Sequence, residues 1–217
     1  LDDYDLIKNI HVLPTIPSPD IWNYRNHARF TVRFQGQLGF SNRITRRFVR
    51  IDECKLMDGQ INQVLIDLQD HVSETSNLSV RVGINTKQQL IQPKLNNSEI
   101  SIETGQKWYQ ETLLDHNFRV ASPSFFQVNT LQAEKMILLV SELLNLKPDE
   151  ILVDAYAGVG VFASLLATKV RKVIAIEESQ SAVDDYLQSD NPIDNLEFLL
   201  GKTENVLPLI DEDIDSV

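Results

Sequence analysis

Cysteine, methionine and tryptophan are scarce in this chain of 217 residues, with one, two and two copies respectively. Cys54 cannot close an internal disulfide and gives no metal-ligand spacing by itself, which excludes a disulfide scaffold and fits a reducing compartment. Eight glycines and eight prolines without a period exclude a collagen-like chain, and no heptad pattern supports a coiled coil. No apolar run approaches the roughly 18 to 20 residues of a membrane span, and residues 1–20 lack the basic start and apolar stretch of a signal peptide. The expectation is a cytoplasmic protein with no membrane partner. With 42% hydrophobic residues, the chain can bury one large core or two small ones.

What charge there is lies unevenly. Seven arginines fall between Trp22 and Arg50 (Arg25, Arg29, Arg33, Arg43, Arg46, Arg47 and Arg50), with no lysine and no acid among them. That stretch carries +7 within a chain of net −11, so the remainder stands at −18. From Glu177 to Asp215 there are twelve acids against one base, Lys202. The pattern is a basic face joined to an acidic module.

Residues 1–20 are acidic and then proline-rich, and read as a linker or incomplete lead-in. From Tyr24 the period becomes 2. Ala28, Phe30, Val32 and Phe34 alternate with Arg29, Thr31 and Arg33, and Gln35-Gly36 turns the chain into Leu38–Phe40, predicting a hairpin with arginines on one face. Arg47–Ile51 reads as a third strand. Ile61, Val64, Leu65 and Leu68 give helical spacing within 57–71. Short strands are expected at 78–84, 89–93, 98–103 and 112–120. After Ser122-Pro123 the texture changes to a long helix (131–144), then strands at 151–154, 172–176 and 196–200 alternating with helices at 161–168, 179–188 and 203–209. Such alternation means βαβ units and a parallel sheet, so the fold class is α/β. The expected division is a smaller α+β domain over 1–122 and a parallel-sheet domain over 123–217.

Between the first two of those strands runs Asp154-Ala155-Tyr156-Ala157-Gly158-Val159-Gly160-Val161-Phe162-Ala163. Glycines at a strand-to-helix turn let the backbone approach a ligand closely. Nineteen residues past Gly158, Glu177 ends the second strand, where a carboxylate can bind both hydroxyls of a ribose. An adenosine-containing ligand is implied. Gly158-x-Gly160-x-x-Ala163 also fits the dinucleotide fingerprint, so NAD is weighed. However, an acid and three residues intervene before the first glycine, and an acid suits the sulfonium and ammonium of S-adenosylmethionine better than a diphosphate. Upstream, Gln127 lies where it could meet a polar ligand group, while Asn129 is placed to cap the helix that follows.

Four stretches, taken together, resemble the S-adenosylmethionine-dependent RNA uracil-5-methyltransferases, specifically the bacterial enzymes that make 5-methyluridine in 23S ribosomal RNA. They are Trp22-Asn23-Tyr24-Arg25-Asn26-His27-Ala28-Arg29-Phe30, then Leu38-Gly39-Phe40, then Phe126-Gln127-Val128-Asn129, then Asp154 to Phe162 as quoted. The resemblance spans nearly the whole chain and implies a truncated Rossmann-like class I methyltransferase sheet preceded by an RNA-binding central domain. It implies donor contacts from Gln127, Tyr156 and Glu177, with Asp154 beside the ligand and Gly158 and Gly160 lining the site through their backbone. Some members have Asn at the position of Val161, and this sequence departs there. RNA contact is expected from Arg25, Arg29, Arg33, Arg46 and Arg47, whose guanidiniums suit phosphates. Ribosomal RNA is the first substrate implied. The alternatives are a tRNA uridine-5 methyltransferase, or a non-catalytic RNA-binding protein with a relic nucleotide fold.

The resemblance also bears on mechanism and on Cys54. Uracil C5 is too weak a nucleophile to take a methyl group unaided, so a cysteine thiolate adds to C6 and a base later removes the C5 proton. In the family those groups lie downstream of Val217, and no catalytic residue is assigned within this chain, which by itself is expected not to methylate. Members with a 4Fe-4S cluster have three upstream cysteines and a fourth at a place resembling Cys54. The three are absent here, which leaves Cys54 either an orphaned cluster ligand or a small packed residue.

Overall fold

The computed structural model of the chain describes residues 12–190 and 192–217. The first part of the expected lead-in, 1–11, lies outside the described residues. The described part, 12–20, is irregular, and Ile16 and Pro17 offer carbonyls to Gln132 and Lys135 of a later helix.

Strand β1 (His27–Arg33) alternates as its sequence dictates: Ala28, Phe30 and Val32 are buried, while Arg29 and Arg33 are exposed. Phe34 leaves this pattern. Together with Gln35 it adopts positive φ to turn the chain, so its ring is 71% exposed instead of joining the core. Strands β2 (Gln37–Ser41) and β3 (Phe48–Arg50) follow. Helix α1 (Gly59–Leu68) starts where the Asp58 carboxylate accepts from Gln60 N at 2.8 Å, and it buries Ile61, Val64, Leu65 and Leu68. Strands β4 (Asn77–Val82) and β5 (Gln89–Gln92) complete an antiparallel sheet of order β3-β2-β1-β4-β5. The α1 stripe covers one face of it, against Phe30, Leu38, Leu78 and Val80, all inaccessible to solvent. The other face, away from α1, carries Arg29, Thr31 and Arg33, with Ser79 and Gln92 in register beside Arg29.

The strand expected over 98–103 is not there. Ile100 and Ile102 alternate with polar residues, yet they pack on the core from an irregular loop. The alternation serves burial and not a ladder, because the outer side of β5 is taken by Gly105 and Gln106, which bond Ile91 O at 2.7 Å and Ile91 N at 3.0 Å. Likewise 112–120 is interrupted: Leu114 and Asp115, both at positive φ, form a two-residue turn between β6 (Trp108–Leu113) and β7 (His116–Ala121).

Helix α2 (Thr130–Leu144) is capped by Asn129, whose side chain accepts from Gln132 N at 3.0 Å, as its position suggested. Strand β8 (Ile151–Ala155), helix α3 (Val161–Leu166), strand β9 (Lys172–Glu177), helix α4 (Gln180–Leu187), strand β10 (Leu196–Leu200) and the single turn α5 (Thr203–Val206) make the second unit. Its strands are parallel in the order β10-β9-β8, with nearly unbroken apolar runs because both faces are covered. On the free side of β8, Leu152 forms a parallel bridge with Ser216.

Two buried acids join these units. Glu111, fully inaccessible on β6, accepts hydrogen bonds from Ile84 N (2.7 Å), Asn85 N (3.0 Å), Thr112 N (3.0 Å) and Thr130 Oγ1 (3.1 Å). Burial pushes its carboxyl pKa upward, and those four donors oppose the shift. Asp185 on α4 accepts from Arg119, from Ala121 N (2.7 Å) and from Ser124 Oγ (2.6 Å), tying α4 to β7. Removing a carboxylate that satisfies four buried donors strands all of them. Glu111→Ala should therefore cost about 3 kcal/mol or more in urea unfolding, and Glu111→Gln, which keeps an acceptor, clearly less. Equal losses in the two variants would show that bulk, not hydrogen bonding, matters at this position.

Candidate functional site

The loop leaving β8 spends three of five residues at positive φ: Tyr156 (63°), Gly158 (59°) and Gly160 (79°). A tyrosine in that region is uncommon and signals a constrained turn. Two carboxylates hold it. Asp154 accepts from Ala163 N in the first turn of α3 at 2.9 Å, and Glu177 at the end of β9 accepts from Gly158 N at 2.7 Å and Ser179 N at 2.8 Å. The nineteen-residue spacing between Gly158 and Glu177 is thus a direct contact.

Beside this loop lies a cavity of ≈ 100 Å³. Its walls are mostly apolar, including Phe125, Phe126, Met136 and Val161, while Gln127 and Asp154 are its polar lining groups. Tyr156 and Gly158 also line it, so four of the six residues expected at the ligand converge on one space. Gly160 and Glu177 are not among its lining residues; Glu177 holds the loop through Gly158 N. A Cβ on Gly160 would sit 2.7 Å from the Phe198 ring, whereas one on Gly158 would meet nothing within 4 Å. Val161, where the family pattern offers Asn, presents an apolar wall. Tyr156, 73% exposed, also borders a second space of ≈ 190 Å³ with Glu178, Gly201, Lys202, Thr203 and Glu204. The Thr203 hydroxyl there is buried without a partner.

Electrostatically the site favours a cation. Burial raises the Asp154 pKa, the hydrogen bond from Ala163 partly opposes this, and the charge of Glu177 adds to it, bringing the group to about 6. A positive ligand group here would relieve a costly buried charge. An anionic diphosphate meets two carboxylates instead, and the Gly158 N–H it would need is already taken by Glu177, which argues against the NAD alternative. Of the residues that sequence reasoning missed, Phe125 adjoins the quoted Phe126-Gln127 stretch and was within reach. Met136 carried no signal, since only the folding of α2 over the loop brings it here.

The arginines occupy a different surface. Arg29 and Arg33 stand on the outer face of β1, Arg46 and Arg47 are exposed in and after the β2–β3 turn, and Arg25 is half-buried in a parallel bridge with Met57. Among the described residues, Arg50 is the member of the seven that forms ion pairs, with Asp70 at 2.7 Å and Asp52 at 3.4 Å. The positive field is felt by His27, whose pKa falls to about 4 through burial first and then through Arg81, Arg29 and Arg25. Cys54 is half-buried against the first core, with its backbone N–H and C=O bonded to the Asn62 side chain. No group of three His, Cys, Asp or Glu side chains that could hold a metal occurs among the described residues. A lone thiolate does not fit a 4Fe-4S cluster.

Residues 54–210 match the model of a family described as tRNA (uracil-5-)-methyltransferase. The chain belongs to this family. Similar relatives include uncharacterized RNA methyltransferases of Synechocystis sp., 30% identical with 92% of this chain and 55% of the relative covered, and of Enterococcus faecalis, 28% identical with 95% and 57% covered. The chain spans little more than half the length of these relatives. A crystal structure of Pyrococcus abyssi tRNA (uracil-54, C5)-methyltransferase in complex with S-adenosyl-L-homocysteine shares the fold, with a TM-score of 0.68 at 22% identity over 86% of this chain and 57% of that one. The parallel unit accordingly has a Rossmann-like class I methyltransferase fold.

The glycines of the loop are separable by experiment. Gly158→Ala should cost about 1 kcal/mol, the strain of a left-handed L-residue in open space. Gly160→Ala must also displace Phe198, which is stacked on Tyr186 at 4.4 Å, and should cost about 3 kcal/mol. Thermal or urea unfolding of the two variants checks this order.

Proposed function

We propose that this chain forms the donor-binding and RNA-binding part of an enzyme that methylates uridine C5 in RNA with S-adenosylmethionine. The observation that carries the reading is the juxtaposition of an apolar cavity with a half-buried, costly carboxylate, Asp154, on a loop whose conformation Glu177 fixes. The residues present fit a cationic methyl donor: Asp154 and Gln127 for its charged and polar end, Tyr156 and the backbone of Gly158 along it, and Glu177 for ribose hydroxyls through the lone pairs its two amide contacts leave over. The exposed Tyr156 ring suits the purine in the adjoining space. When bound, the donor supplies an electrophilic methyl group, and these side chains orient it and exclude water.

The RNA lies, in this reading, on the open face of the five-stranded sheet. Arg29 and Arg33 meet phosphates there, with Arg46 and Arg47 at one edge and Arg25 towards the donor unit. Thr31, Ser79 and Gln92 offer hydrogen bonds between them. The target base leaves its stack to reach the cavity. Cys54 is not among the residues lining that cavity and has no part in the transfer. We assign 23S ribosomal RNA as the substrate, on the stretches Trp22–Phe30 and Phe126–Asn129, and the cytoplasm as the place of action. The family description points instead to transfer RNA, and assaying the whole protein on both transcripts decides between them.

Two measurements test the proposal. A bound sulfonium favours ionised Asp154, so affinity for S-adenosylmethionine should rise several-fold as pH climbs through about 6 and then level off. S-adenosylhomocysteine, which lacks the sulfonium charge but keeps the ammonium, should show a shallower rise; a flat profile for both ligands would remove Asp154 from the site. For RNA, Arg29→Ala should weaken binding of a uridine-rich oligoribonucleotide and reduce its logarithmic salt slope by about 0.7, the share of one single-strand phosphate contact. An unchanged slope would place the RNA elsewhere.

A further inference from the structure

Asn26, one residue before β1, is 2% exposed and joins the antiparallel sheet to the segment that leads into α2. Its backbone N–H donates to Val128 O at 3.0 Å, and its side-chain Nδ2 donates to Gln127 O at 2.9 Å and to Thr130 Oγ1 at 3.0 Å. Its own carbonyl accepts from Val82 N at 2.9 Å, anchoring it in the sheet. A single residue of the arginine-bearing sheet therefore grips two consecutive carbonyls, at the position whose side chain lines the donor cavity. Thr130 in turn donates to the buried Glu111.

We propose that Asn26 is a positioning residue for the donor site: by fixing the Gln127–Val128 backbone from the RNA-binding sheet, it sets the Gln127 amide in the cavity. The inference rests on the donor reading above. Asparagine is required because the side chain must both donate to a carbonyl that no backbone N–H among the described residues serves and fit a fully enclosed space. Leucine fills that space and donates nothing. Because Gln127 and Asn26 stand on different units, the contact also makes donor affinity sensitive to anything that shifts β1. A ligand on Arg29 of the same strand is then coupled to the cavity.

The test is calorimetric titration of this chain with S-adenosylhomocysteine. Asn26→Leu should weaken binding about tenfold, Gln127→Ala should do the same, and the double variant should be no weaker than the worse single variant, because both remove one interaction. Thr130→Val breaks the link to Glu111 yet leaves the Asn26–Gln127 bond. It should lower the unfolding temperature while keeping affinity within about twofold, which separates positioning from plain stability. Should Asn26→Leu not fold, Asn26→Asp, equal in shape but without the donor, takes its place with the same expected loss. Wild-type affinity in a folded Asn26 variant, or losses that multiply in the double variant, would overturn the proposal. No saturable binding by the wild-type chain would instead overturn the donor reading, and this proposal with it.

Discussion

A carboxylate with no access to water stands at the centre of this chain. Glu111 is tolerable only because four donors from three separate segments turn towards it, and each of those donors is then committed: Ile84 and Asn85 from the turn after β4, Thr112 from its own strand, Thr130 from the first turn of α2. Thr130 is thereby fixed relative to the antiparallel sheet. Asn26 bonds Thr130 and Gln127 together, and Gln127 lines the cavity. The buried charge and the ligand-facing residue thus belong to one hydrogen-bonded network, in which Asn26 makes the bond to Gln127 itself. Apolar packing between the units supplies adhesion, but it is non-directional. The polar chain supplies the register.

The segregation of charge follows from the two ligands in the proposed reaction. A donor carrying sulfonium and ammonium groups needs a negative site, and a polynucleotide needs a positive one, so the two cannot share a surface without each weakening the other. Here the acids that face the cavity lie on the parallel unit and the arginines on the outer face of the antiparallel sheet. Where opposite charges do meet across the boundary, at Arg119 and Asp185, the pair is buried and neutralised, with Ala121 N and Ser124 Oγ completing the carboxylate's shell. The depressed pKa of His27 carries a trace of the same segregation: burial lowers it first, and the charges of Arg81, Arg29 and Arg25 lower it further.

Much of this was legible in the chain, and what was not has a physical reason. The period-2 run from Ala28 and the alternation of strands and helices after Ser122 are local, so they predicted β1, β8, β9 and α2 well. The loop Asp154–Ala163 was recognisable because its glycines answer a local backbone requirement. The errors fell where local pattern lacked a partner. Ile100 and Ile102 mimic a strand but the edge of β5 is taken by Gly105 and Gln106, Phe34 continues an alternation that the turn interrupts, and Leu114-Asp115 adopts a hairpin turn without the glycine that usually marks one. Met136, Glu111 and Asn26 were silent for a different reason. Their roles depend on partners 19 to 104 residues away, and no period records such a distance.

The glycine loop shows why certain residues belong together in this sequence. Three left-handed residues within five form a conformation the chain would not hold alone, and unsatisfied amides at Gly158 and Ala163 would add to its cost. Asp154 and Glu177 satisfy those two amides. Yet the same carboxylates are the negative groups nearest the cavity, and Asp154 is kept close to protonation by its surroundings. A cation entering the cavity therefore strengthens the charge on a group that already supports the loop's shape. Ligand and loop stabilise each other through shared atoms, so replacing either acid alters the conformation of the site together with its affinity. The spacing of Asp154, Gly158, Gly160 and Glu177 is in this sense a single structural requirement, met once by the fold and used again by whatever binds.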